Sequence, residues 1–93
     1  MKKVNYCVRN LSTKKEDNTT SGVGFICGNA LIVACISQKT GKAYVRVFDE
    51  VVNHCHLVQG TTNEYKGFVT EVFEIDDRTV EVDYSVWYKE VNE

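Results

Sequence analysis

The sequence predicts a mainly β domain: a single antiparallel meander of about six strands curled into an open barrel or a two-layer roll. Short runs of β-branched and aromatic residues recur between Gly, Asn and Asp punctuation. Gly28-Asn29 separates two apolar runs and suits a two-residue type II′ turn, with Gly at the first central position. Val80, Val82, Tyr84, Val86 and Tyr88 alternate with Glu81, Asp83, Ser85, Trp87 and Lys89, the period of a strand with one apolar face. Ninety-three residues form one domain, 1–93, able to bury about 60 to 65% of the unfolded chain's surface in one core.

The first strand is read over residues 3–9, where Val4, Tyr6 and Val8 alternate with Asn5, Cys7 and Arg9. Residues 10–21 are polar and read as a long loop. Strands follow at 22–28 and 30–37. The Gly28-Asn29 turn pairs Cys27 with Ala30, Phe25 with Ile32 and Gly22 with Cys35. The second of these strands, Ala-Leu-Ile-Val-Ala-Cys-Ile, is apolar on both faces, which predicts a central strand covered on both sides. Residues 38–42 form a hairpin loop and 43–48 return as a strand.

Residues 50–59 carry opposed signals. Asp49 as N-cap, a stripe of Val51, Val52, Cys55 and Val58, and Gly60 just past the end favour a helix, which would make the class α+β. Val-Val, Asn and two His are poor helix formers and favour the opposite. The last strand pairs with residues 67–75. A turn at Asp77-Arg78 sets Ile75 against Val80, Phe73 against Val82 and Val69 against Val86, apolar on apolar.

That register gives the hairpin a second face. On it Glu74 falls opposite Glu81, Val72 opposite Asp83 and Phe68 opposite Trp87, an acidic strip ending in an aromatic pair. The strip belongs to a wider charge division. Residues 1–48 carry eight basic side chains against two acidic ones, a balance of +6; residues 49–93 carry three against eleven, a balance of −8. Such asymmetry bears on association. Phe68, Glu74, Glu81, Asp83 and Trp87 are therefore the candidate binding residues for a protein partner with a basic surface, the chain acting as an adaptor or stoichiometric inhibitor and not as an enzyme. Two bland readings compete. In one, Phe68 and Trp87 are covered by residues 49–60 or by the long loop; in the other, the basic strand 3–9 or Arg46 neutralises the hairpin within the molecule. Head-to-tail assembly into a homo-oligomer is a further neutralising route.

Other chemistries are weakly supported. Thr19, Thr20, Thr61 and Thr62, in two Gly-flanked loops, with Arg46, and with Lys14 and Lys15 as further anion partners, make an alternative site for a nucleotide-like anion; clusters of this composition are ordinary turn chemistry. His54-Cys55-His56 is the one metal-type cluster, and it lacks the paired CxxC spacing of a zinc site, so no metal and no cofactor are implied. A neighbouring His in sequence does not activate a Cys nucleophile. Cys27 and Cys35 lie about 16 Å apart along adjacent strands, beyond disulfide reach, and reduced thiols are the expected state. Ser21-Gly22-Val23-Gly24-Phe25 followed by Leu31-Ile32-Val33-Ala34 resembles the opening hairpin of trypsin-like proteases. No His follows Ala34 and no Gly-x-Ser-Gly occurs, so only a hairpin pattern is shared. A pI of about 5.7 disfavours nucleic acid as a partner. The lack of a long apolar run disfavours the membrane, and the chain is read as cytoplasmic.

Overall fold

The computed structural model describes residues 1–13, 19–37 and 39–91. Lys14 and Lys15, and Gln38 of the predicted 38–42 loop, lie outside the described residues. Among the described residues seven strands form one antiparallel sheet: β1 (Lys2–Asn10), β2 (Thr19–Cys27), β3 (Ala30–Ile36), β4 (Ala43–Phe48), β5 (Cys55–Leu57), β6 (Glu64–Ile75) and β7 (Arg78–Glu90). Their spatial order is β4-β3-β2-β1-β7-β6-β5, so two meanders meet where the first strand pairs with the last. The sheet curls without closing into a barrel.

The curl gives an inner face, where the core lies. Val4, Tyr6 and Val8 of β1, Leu31 and Val33 of β3, Phe48 of β4, Val69 of β6 and Tyr84, Val86 and Tyr88 of β7 are all buried there. Tyr6 lies across Gly24, where an added Cβ would come 3.2 Å from the ring and 2.9 Å from the Ile32 carbonyl oxygen. Glycine is thus what lets the aromatic ring close over β2. The Phe48 and Tyr84 rings meet edge to face at 5.5 Å, and Tyr65 stacks on Tyr88 at 4.9 Å.

The ambiguous segment resolves into both structures. Helix α1 (Val51–His54) is a single turn, and the chain then extends into β5, an edge strand on β6. Glu50, not Asp49, precedes the helix, with φ 65° and no side-chain cap, which fits the weak helix propensity of the segment. What holds the turn is packing: Val51 is fully buried, and Val52 N–H donates to the Asn29 carbonyl at 3.1 Å. A Cβ on Gly67 would strike the His54 carbonyl oxygen and lie 2.8 Å from Cys55 Cα. Only glycine admits this crossing.

Two expectations about strands are corrected. The polar loop ends earlier than predicted, since β2 begins at Thr19 and pairs Thr19 with Arg9. β3 is not covered on both sides: Ile36 is 72% exposed and, with Val45 and Val47 of β4, leaves an apolar outer face open among the described residues. The Gly28-Asn29 register holds as predicted, with Cys27 opposite Ala30 and Phe25 opposite Ile32. All four cysteines are free.

Candidate functional site

The β6–β7 turn falls at Asp76-Asp77, one residue before the predicted Asp77-Arg78. Both aspartates take positive φ, 50° and 61°, as a type I′ turn requires, and Asp tolerates that conformation better than Arg. The register moves by two residues, which preserves faces and changes opposite partners. Ile75 faces Arg78, Phe73 faces Val80 and Val69 faces Tyr84. Glu74 faces Thr79 in place of Glu81, so the predicted like-charge opposition does not occur. Phe68 faces Ser85, and Trp87 faces Lys66, making the two aromatics diagonal neighbours.

All five sequence-predicted residues nevertheless share the outer face of this hairpin. Trp87, Phe68, Asp83, Glu81 and Glu74 follow one another along a strip of roughly 26 Å at 3.3 Å per residue. Phe68 is 68% exposed, so neither residues 49–60 nor any other described segment covers it. Trp87 is half-buried, and its Nε1–H donates to Glu64 Oε2 at 3.3 Å. Asp83 accepts from Thr70 Oγ1 at 2.7 Å, the cross-strand contact that the observed register creates.

Beyond Glu71 and Val82 the hairpin leaves the body of the sheet. Toward the turn β5 reaches only Gly67 and β1 only Tyr84, so residues 72–81 form an arm with no neighbouring strand among the described residues. Each strand of it extends about 13 Å. Glu74, Asp76, Asp77, Glu81 and Asp83 at its base are exposed; Arg78 is the single base. Val72 and Ile75 stand mostly in water, at 60 and 54% exposure, and Phe73 and Val80 are partly covered, at 38 and 37%. Sequence reasoning set Phe73, Ile75 and Val80 on the hairpin's apolar face by alternation. The missing signal was length, since β6 and β7 outrun every strand that could cover them.

Part of the charge division is settled inside the molecule. β1 does lie beside β7, and Lys2 Nζ meets Glu90 Oε2 at 3.0 Å. The Glu90 carboxylate, through its hydrogen bond and charge, raises the pKa of Lys2 and likewise of Tyr65. Arg46 Nη2 donates to both carboxylate oxygens of Glu71 at 3.1 Å and to Tyr84 Oη at 2.9 Å, with the guanidinium 4.5 Å from the Phe48 ring centroid. Among the described residues no cation pairs with Glu74, Asp76, Asp77, Glu81 or Asp83. Neutralisation stops where the arm begins.

The alternative anion residues do not gather. Thr19 and Thr20 start β2 beside Arg9 and Val8, whereas Thr61, in the β5–β6 connection, donates its hydroxyl to the Val58 carbonyl at 2.7 Å. Thr62 is exposed in that same connection, and Arg46 is committed to Glu71 and Tyr84. The cavity at the β2–β3 turn, about 600 Å³, is lined by Lys2, Ile26, Tyr65, Tyr88 and Glu90 among others and includes none of these threonines. No group of three or more His, Cys, Asp or Glu is arranged to hold a metal among the described residues. Cys55 is buried, and burial pushes its thiol up to about 11, the opposite of nucleophile activation. No described helix is long and apolar enough to cross a membrane. Comparison with protein-family models, curated proteins and solved structures finds no match.

Proposed function

We propose that the protein is a non-enzymatic binding module, an adaptor or stoichiometric inhibitor, that engages a basic protein partner through the outer face of the β6–β7 hairpin. The observation that carries this reading is the arm at 72–81. It joins Glu74, Asp76, Asp77 and Glu81, which pair with no cation among the described residues, to Val72 on the outer face and Ile75 on the inner one, both more than half exposed. A folded domain gains little stability from apolar side chains left in water, so their function lies in association. The one-sign charge steers a cationic partner and rejects acidic ones; Phe68 and Trp87 supply apolar contact at the base of the strip. The small-ligand reading gains no support from the scattered placement of Thr19, Thr20, Arg46, Thr61 and Thr62.

The test is capture from the native host with the wild-type chain and with a Glu81→Lys/Asp83→Lys/Trp87→Ala variant whose fold is verified by circular dichroism. The wild-type chain retains one basic protein in defined stoichiometry and the variant loses it. Equal recovery by both would remove the hairpin face from the binding surface.

A further inference from the structure

β6 has β7 on one side along its whole length, but on the other side β5 pairs only with Tyr65, Lys66 and Gly67. From Phe68 to Ile75 that second edge carries no strand among the described residues. β4 is the opposite edge of the sheet, and the curl turns it toward β6, where Arg46 reaches across to Glu71. No backbone hydrogen bond joins β4 to β6 among the described residues. Between the two edges runs a groove of about 390 Å³. Val47, Asp49 and Glu50 line one side, and Glu71, Val72 and Phe73 are among the residues on the other.

We propose that this groove receives an extended, basic segment of the partner protein, which adds as a strand to the free edge of β6 between Phe68 and Ile75. The proposal rests on the reading that the partner is a basic protein and says how part of it is held. An unpaired edge presents alternate N–H and C=O groups at strand spacing, the template used in strand addition. Natural edges are usually blunted by charged side chains, above all Lys, by Pro or by a bulge, and the run Phe-Val-Thr-Glu-Val-Phe-Glu-Ile has neither Lys nor Pro, while its register with β7 is unbroken. Its only charges are Glu71 and Glu74, and Asp49 and Glu50 stand across the groove. A second copy of this chain would bring these same carboxylates to the edge and be repelled. A strand alternating Lys or Arg with apolar residues would set its cations on the outer face, beside Glu74, and its apolar side chains on the inner face, beside Phe73 and Ile75. Arg46 does not compete for those carboxylates beyond Glu71, which it already satisfies.

The experiment uses the full chain and three labelled octapeptides in fluorescence anisotropy: alternating Lys-Val, the same peptide N-methylated at alternate residues, and alternating Glu-Val. The Lys-Val peptide binds saturably; N-methylation along its hydrogen-bonding edge weakens it about tenfold or more, and the Glu-Val peptide does not bind. Asp49→Lys/Glu50→Lys weakens the Lys-Val peptide at least about fivefold, because it reverses the charge across the groove. Hydrogen exchange slows on amides within 68–75 when the peptide is bound. An N-methylated peptide that binds within about twofold of its parent would show charge attraction without strand pairing and overturn the inference. So would no binding, or a dimer of the chain that the peptide dissociates. Loss of the native partner on Glu81→Lys/Asp83→Lys, together with a negative peptide result, would leave the hairpin reading standing and this inference alone refuted.

Discussion

Among the described residues the Arg46–Glu71 contact is the one charged clamp across the open side of the curled sheet, and a double-mutant cycle measures it. The Arg46 and Glu71 side chains are 33% and 20% exposed, between a surface pair, worth about 0.2 to 1 kcal/mol, and a buried one, whose disruption costs about 3 to 5 kcal/mol. Discounting for that partial exposure leaves a coupling of about 1 to 1.5 kcal/mol. Arg46→Met also forfeits the guanidinium over the Phe48 ring and the Tyr84 hydrogen bond, bringing its total cost to about 2 to 3 kcal/mol. Glu71→Gln keeps the shape and removes the charge, at a cost of about 1 kcal/mol. Urea unfolding followed by Trp87 fluorescence, on both single variants and the double variant, reads these values as midpoint shifts at constant slope. Strict additivity within about 0.3 kcal/mol would refute the clamp.

Three other outcomes follow from the same structure. Gly67→Ala costs about 2 kcal/mol or more in urea unfolding, because the methyl group has only the His54 carbonyl and Cys55 backbone to displace. Val72→Thr and Phe68→Ser change stability by less than about 0.5 kcal/mol while reducing partner capture, since both side chains already stand in water. Alkaline stability depends on Tyr88 and Cys55, raised by burial from 10.0 to about 12 and from 9.0 to about 11. A raised value in the fold means that the unfolded chain ionises first. The stabilisation is therefore complete below pH 9 and is lost between about pH 9 and 12, on the order of 2 kcal/mol per group. Tyr88→Phe flattens that loss in a pH series of urea midpoints, and an unchanged slope would contradict the burial argument.

Much of the strand pattern was legible in the sequence because it rests on period-2 alternation and on Gly28, whose turn fixes a register locally. The side-chain faces of β6 and β7 were legible for the same reason. Their exact pairing was not, because Asp76-Asp77 and Asp77-Arg78 both preserve the faces, and only the need for two positive φ angles separates them. The split of residues 50–59 into one helical turn and an edge strand depends on Val51 finding the core and on Gly67 admitting the crossing, contacts distant in sequence. The candidate face survived the register change intact in membership and lost its opposed aromatic pair. The exposed inner side of the arm was illegible, since alternation marks which residues share a face and not whether anything lies against it.

The central claim, that the acidic hairpin face engages a basic partner, is tested most directly by the association rate with the captured partner as a function of salt, for the wild-type chain and for Glu81→Lys/Asp83→Lys. Steering by this face predicts that the wild-type rate falls by about tenfold or more between 50 mM and 0.5 M salt, and that the variant is slow at low salt and nearly salt-independent. Two equal rates, with the same dependence on salt, would contradict it.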